Sequence, residues 1–271
     1  MDQSEVEAAL AGLPLGAVRC FERVGSTNDE AEKWAEEGAP DLALVIANEQ
    51  TAGRGRLGRR WYTAPGAALA FSLILRPTET LYPIPRLTAL GALAACEALG
   101  AHYNLSAQIK WPNDVLLARR KVAGVLVEGK WVGGELTALI LGIGINIASD
   151  SISVERLPPS ALNFPVTCLE NELRKPVDRL VLLRFILKKL LFWKSQLNSD
   201  VFLQAWESAL AFKGEWVRVV ATENAGQDGF PGGVPFEEGQ IVGLTPDGSL
   251  RIRNRSGQEV LMNFGEVRLQ K

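Results

Sequence analysis

Histidine is nearly absent: His102 is the single one in 271 residues, which excludes two-histidine metal centres and HExxH zinc sites. Cysteine is scarce too. Cys20, Cys96 and Cys168 are far apart and odd in number, so they form neither a disulfide framework nor a zinc cluster, and they fit a reducing cytosol. No excess of one charge exists either. Lys and Arg total 29 against 31 Asp and Glu, a net charge of −2, so any basic site must be local and no global polycation can hold nucleic acid or an anionic membrane. Long apolar runs are missing: residues 87–96 and 136–148 fall short of the roughly 18 that a membrane span needs. Residues 1–10 carry acidic side chains and no basic n-region, so they do not read as a signal peptide. Internal repeats and low-complexity tracts are also absent.

What is present is a globular composition, 47% hydrophobic and 22% charged, at a length that suits one large domain or a domain of about 200 residues plus a small one. Residues 4–10 read as a short helix, 17–21 as a strand and 27–37 as a helix, with Thr27 and Glu30 in capping-box spacing and Gly38 beyond its end. Residues 42–48 and 67–75 read as strands flanking a glycine- and arginine-rich loop at 51–61. A helix at 86–99 closes on Gly100, and His102 falls in the turn after it. Strand-like runs at 114–118, 122–128 and 135–147 have short breaks that suggest antiparallel hairpins. A loop with three prolines covers 150–165, and helices follow at 178–197 and 201–210.

Beyond Ala211 the texture changes to short strand-like runs at 215–220, 240–244, 249–253, 258–263 and 267–269, separated by glycine-rich turns. That is the pattern of a small β-barrel. A long glycine- and proline-rich segment, 223–238, lies between its first strands. Strands and helices do not alternate regularly, so the fold class is α+β, a mixed sheet with helices, divided into domains at 1–211 and 212–271.

Four segments can carry chemistry. Residues 49–61 hold Arg54, Arg56, Arg59 and Arg60 interleaved with Gly53, Gly55 and Gly58. Glycine lets the backbone approach a ligand, and arginine offers a fork that matches carboxylate or phosphate. The segment is either a lid over an anion or a solvated basic turn that could contact nucleic acid. Gly53, Gly55 and Gly58 spell GxGxxG, but a strand follows rather than a helix, so the dinucleotide reading fails. The second segment is Lys110-Trp111-Pro112-Asn113-Asp114 followed by Lys121-Val122-Ala123-Gly124. In an uninterrupted strand Lys121, Ala123, Val125 and Val127 share one face, and Gly124 permits approach from the other. Lys121 then either meets the charged end of a ligand or sits at a hairpin end with a solvated head. In the third, Gly25-Ser26-Thr27-Asn28-Asp29, Thr27 reads as a helix cap while Ser26 and Asn28 are free to bind a polar head. In the fourth, Leu141-Gly142-Ile143-Gly144-Ile145-Asn146-Ile147, the glycines relieve strand crowding or form a bulge, and Asn146 needs polar partners if buried, such as a nucleobase. Trp61 and Trp111 flank these segments and read as pocket walls.

Taken in order, Ser26-Thr27-Asn28, Gln50 with Gly53-Arg54-Gly55-Arg56, Lys110-Trp111-Pro112-Asn113-Asp114, Lys121-Val122-Ala123-Gly124, Val127-Glu128 and Gly142-Ile143-Gly144-Ile145-Asn146 resemble the biotin protein ligases, over roughly residues 18 to 210. The resemblance implies a catalytic domain like that of class II aminoacyl-tRNA synthetases followed by an SH3-like barrel. It implies two steps: biotin and ATP give biotinoyl-AMP and pyrophosphate, and a lysine of the biotin carboxyl carrier protein of acetyl-CoA carboxylase then takes the biotin. Ser26, Thr27, Asn28 and Gln50 would hold the ureido head. Arg54, Gly55 and Arg56 would close over carboxylate and adenylate, and Lys121 would contact both carboxylate and α-phosphate. Lys121, Arg54 and Arg56 are thereby the catalytic candidates. Trp61, Lys110, Asn113, Asp114 and Asn146 would hold the nucleotide, with Asn146 on adenine and Asp114 on magnesium. Residues 51–60 would be mobile without ligand because their arginines repel one another. About 17 residues precede the first catalytic strand, so the chain resembles a monofunctional, cytoplasmic ligase without specific DNA binding; a homodimer is neither required nor excluded. A lipoate ligase or octanoyl transferase of similar fold, and a non-catalytic biotin or nucleotide sensor, stay open beside it.

Overall fold

The computed structural model describes residues 1–77, 83–152, 164–220 and 236–269. Its first half builds α1 (Gln3–Leu10), β1 (Ala17–Val24), α2 (Thr27–Glu36), β2 (Ala43–Gln50), β3 (Ala68–Leu75), α3 (Ile84–Tyr103), β4 (Ala107–Lys110), β5 (Asp114–Leu117), β6 (Arg120–Val132) and β7 (Glu135–Asn146). These strands form one mixed sheet in the order β1-β2-β3-β7-β6-β5-β4. β1 and β2 are parallel, which needs a crossover, and α2 supplies it; the other neighbours are antiparallel. The free edge of β1 is occupied by Gln3, whose amide accepts from Cys20 N at 2.7 Å and donates to Val18 O at 2.9 Å.

Period-two alternation assigns the two faces of this sheet. Leu44 and Ile46 of β2 and Leu141, Ile143 and Ile145 of β7 enter the main core, which includes α3 and α5 (Arg179–Ser195). Ala43 and Val45 of β2 and Ala138 and Ile140 of β7 face α2 in a smaller cluster. The functional cavity opens on that second face. Asp178 and Ser199 accept hydrogen bonds at the N-termini of α5 and α6 (Asp200–Ala209). A single-turn α4 (Leu169–Leu173) leads into α5.

Helix α3 is longer than its sequence suggests. It starts after Pro83, runs through Gly100 and closes at Asn104, whose backbone is left-handed at φ 55°. Asn104 supplies the terminal conformation that Gly100 was expected to supply. His102 therefore lies in the last helical turn, with its ring 4.3 Å from that of Phe185, and not in a loop. By length and composition α3 could cross a membrane, yet 72% of its most apolar stretch is buried inside the protein, as in a core helix. β4 went unread because four residues, Ala-Gln-Ile-Lys, are too few to show a period.

The second sheet is antiparallel, with β8 (Trp216–Val220), β9 (Phe236–Leu244), β10 (Leu250–Arg253), β11 (Glu259–Met262) and β12 (Glu266–Leu269) in the order β11-β10-β9-β8-β12. Residues 153–163 of the proline-containing loop and 221–235 of the glycine- and proline-rich segment lie outside the described residues, and residues 236–238 of the latter belong to β9. Trp111 is not a pocket wall. It is buried in the main core and donates from Nε1 to Gly248 O at 3.1 Å, tying the first sheet to the second.

Candidate active site

Gly124 of β6 pairs with Gly144 of β7, and Leu126 pairs with Gly142. A Cβ on Gly142 would overlap Asn28 Oδ1, and one on Gly144 would overlap the Trp61 indole. The glycines are there so that Asn28 and Trp61 can lie against the sheet. That replaces the expectation of relieved strand crowding.

Lys121 stands over the same floor. The register between β5 and β6 shifts: Val115 pairs with Ala123 but Leu116 pairs with Lys121, so Val122 is an extra residue. This bulge moves Lys121 onto the face of Gly124, 3.4 Å from where a Gly124 Cβ would stand. Ala123 and Val125 point into the main core instead. The expectation that they share a face with Lys121 fails because the strand is interrupted.

At the start of α2 the sequence reading is also corrected. Ser26 is the N-cap and makes no side-chain capping bond, so Thr27 is the first helical residue and no capping box forms. The buried Gln50 amide does the capping. Its Oε1 accepts from Thr27 N at 2.8 Å and from Thr27 Oγ1 at 3.0 Å, and its Nε2 donates to Thr63 Oγ1 at 3.1 Å. Asn28 Oδ1 accepts from Ser72 Oγ at 2.6 Å, while Asn28 Nδ2 donates to Glu128 Oε2 at 2.6 Å. Ser26, Thr27 and Asn28 are all buried.

The arginine loop is a tight turn, with Gly55 N donating to Arg59 O at 2.7 Å and Trp61 N to Gly53 O at 2.8 Å. Two of its four arginines are paired with carboxylates, which the sequence did not suggest. Arg54 pairs with Asp29 and, at 2.8 Å, with Glu128. Arg59 grips Glu266 through two bonds of 3.0 and 2.5 Å. Carboxylates from α2, β6 and β12 thus neutralise charges that no local pattern pairs. Neither Arg60, which is exposed, nor Arg56 has such a carboxylate among the described residues. Arg56 is the more buried of the two. It reaches Asn113 Oδ1 at 3.4 Å and has no salt-bridge partner among the described residues. Burial lowers its pKa from the ordinary guanidinium value.

Opposite the loop, Asp114 Oδ1 lies 2.5 Å from Lys121 Nζ and Oδ2 lies 3.1 Å from Lys110 Nζ. Lys110 Nζ is also 3.6 Å from Glu266 Oε1 and 4.5 Å from the Phe164 ring centre. Burial pushes the Asp114 carboxyl up, but the two lysines outweigh it and hold its pKa at about 2. Charge therefore alternates along Arg59, Glu266, Lys110, Asp114 and Lys121. Asp114 does not suit magnesium as these side chains stand. An ammonium holds each of its oxygens, and no group of three or more His, Cys, Asp or Glu could hold a metal among the described residues. Asn113 Nδ2 donates to Val125 O at 3.1 Å and Asn146 Nδ2 to Thr167 O at 3.1 Å, fixing both amides.

Apart from Trp111, the site residues read from the sequence line one cavity of about 720 Å³: Ser26, Thr27, Asn28, Gln50, Arg54, Gly55, Arg56, Trp61, Lys110, Asn113, Asp114, Lys121 and Asn146. Sequence reasoning missed Ser72, Glu128, Asp29, Arg59 and Glu266 as partners. Ser72 had a signal, being the one polar side chain in the wholly buried strand β3. Glu266 had none, because Arg59 lies 207 residues away.

Residues 20–146 match the biotin/lipoate A/B protein ligase family. The biotin--[acetyl-CoA-carboxylase] ligase of Paracoccus denitrificans is 36% identical over 246 residues, covering 88% of this chain and 95% of that protein. The chain belongs to the biotin protein ligases. Among solved structures, the biotin protein ligase from Aquifex aeolicus in complex with biotin and ATP superposes with a TM-score of 0.74 at 28% identity, covering 94% of this chain and 99% of that one. The bifunctional ligase/repressor BirA of Bacillus spizizenii is 34% identical over 188 residues, and the chain spans 57% of its length. Like the Aquifex structure that it superposes on, the chain joins a mixed sheet flanked by helices to a small antiparallel sheet.

Proposed function

We propose that the protein attaches biotin to a lysine of the biotin carboxyl carrier protein of acetyl-CoA carboxylase through biotinoyl-AMP. The observation that carries this reading is Arg56, a desolvated cation with no salt-bridge partner among the described residues, facing the same cavity as Lys121 above a glycine floor. In the first step a carboxylate oxygen attacks the α-phosphorus of ATP and pyrophosphate leaves. In the second, the acceptor amine attacks the acyl carbon and AMP leaves. The first step brings two anions together and the second discharges a third, so fixed positive charge at the reacting centre is what the protein must supply.

Lys121 and Arg56 supply it in this reading, with Arg54 closing the loop. Asp114, whose pKa is held at about 2, orients Lys110 and Lys121. The flat apolar body of biotin packs against Trp61, which Gly144 lets lie on the sheet. Its ureido head meets Ser26, Thr27 and Asn28. Gln50 acts through Thr27, because its amide is already engaged there and at Thr63. Asn113, Lys110 and Asn146 form the nucleotide end. Magnesium belongs to this reading as the counter-ion of the ATP phosphates and not as a ligand of Asp114. The same reading puts the catalytic domain at 1–211 and the SH3-like domain at 212–271, in a cytoplasmic protein.

Pyrophosphate exchange tests the first step alone. Labelled pyrophosphate should enter ATP only when biotin is present, and lipoate should not replace it. Biotin-independent exchange, or none with folded protein, would contradict the proposal.

A further inference from the structure

Glu128 belongs to one of the segments that carry the resemblance, but it is not among the residues that line the cavity and the scheme above gives it no role. Its Oε2 accepts from Asn28 Nδ2 at 2.6 Å and from Arg54 Nη2 at 2.8 Å. These donors come from different structures: Asn28 from the first turn of α2, 100 residues before Glu128 in the chain, and Arg54 from the arginine loop, 74 residues before it. Arg54 also pairs with Asp29, the residue after Asn28. One carboxylate on β6 thus ties the helix start to the loop.

The Asn28 amide has two hydrogens on nitrogen and two lone pairs on oxygen. Ser72 occupies the oxygen and Glu128 takes one hydrogen, which fixes the flip of the amide and leaves the second hydrogen for a ligand. Asn28 Oδ1 lies where a Cβ on Gly142 would stand, so the amide packs directly on the sheet. The two donors line the cavity and Glu128 does not. It acts through them.

We infer that Glu128 is a positioning residue that couples the ureido-head subsite to the anion loop, so that biotin at Asn28 favours the closed position of Arg54. The inference rests on the biotin reading above. A glutamine at this position keeps the shape but loses the charge that holds Arg54, and it brings an NH2 group to where two donors converge. Hydrogen bonds to a charged acceptor are stronger than neutral ones, and their loss corresponds to about 10- to 100-fold in binding.

The test is calorimetry with biotin on the wild type and Glu128→Gln, together with tryptic cleavage of the loop with and without biotin. The loop carries Arg54, Arg56, Arg59 and Arg60, so trypsin reads its accessibility directly. The wild type should bind biotin and become protected. Glu128→Gln should bind about 10- to 100-fold more weakly and gain no protection at saturating biotin, with KM for biotin raised and kcat little changed. If Glu128→Gln fails to fold, Glu128→Asp, which keeps the charge but withdraws the oxygens by one methylene, should show the same loss. Equal affinity and equal protection in a folded variant, with only a lower melting temperature, would overturn the inference and leave Glu128 a structural residue. A wild type that binds no biotin would overturn the ligase reading and this inference with it.

Discussion

Lys121 and Gly124 face the same side of β6 although they are three positions apart, because Val122 is an extra residue opposite β5. In a regular strand the lysine would point into the main core beside Ala123. The bulge therefore places a cation beside Trp61, over the part of the sheet where glycines let side chains lie close.

Lys121→Ala should cut biotin-dependent pyrophosphate release by about 100- to 1000-fold, the usual cost of removing one donor aimed at developing charge. Biotin affinity should fall far less, since the head contacts lie at Ser26, Thr27 and Asn28. Release at the wild-type rate would make Lys121 a bystander.

Gly142→Ala and Gly144→Ala should both damage biotin binding, for different reasons. The first drives Asn28 off the sheet and the second displaces Trp61. Overpacking at such positions costs about 1 to 3 kcal/mol, so melting temperatures should fall as well. Calorimetry against biotin checks the binding, and wild-type affinity in Gly142→Ala would refute the floor.

The Asp114 pKa gives a signed pH dependence. It is depressed from 3.8 to about 2 in the folded protein, so the stability it contributes is complete above pH 4 and is lost as pH falls through about 2. Acid unfolding should therefore show a component in that window which Asp114→Asn lacks. The variant should also be less stable at neutral pH, because Lys110 and Lys121 lose their shared partner. Denaturation at stepped pH measures both.

Arg56→Gly should loosen retention of biotinoyl-AMP as well as slow its synthesis. A lid excludes water from a mixed anhydride, and escaped adenylate would label surface lysines at random. Biotin on an unrelated bystander protein, absent with the wild type, is the expected readout.

Much of this site is legible in the chain because its residues cluster in short ordered segments. Ser26-Thr27-Asn28, the loop from Gly53, Lys121-Val122-Ala123-Gly124 and the glycine pair before Asn146 all converge on one cavity. What was illegible depends on register or distance. The Val122 bulge reverses the alternation that placed Lys121, and no local pattern announces it. Thr27 has the spacing of a cap, yet Gln50 takes that role from 23 residues away. Trp111 sits beside polar site residues but faces Gly248, 137 residues on. Asp114 looks like a metal ligand until both lysines are seen on it. The carboxylates that hold Arg54 and Arg59 come from β6 and β12, so the expected repulsion is eased at those two residues, while Arg59 still opposes the charge on Arg56.

The most direct measurement is the intact mass of a biotin carboxyl carrier domain after incubation with the protein, biotin and magnesium-ATP. One biotin on one acceptor lysine, absent when ATP or biotin is withheld and lost when the acceptor lysine is changed, is the predicted result. An unmodified acceptor with folded protein that binds both ligands would contradict the account.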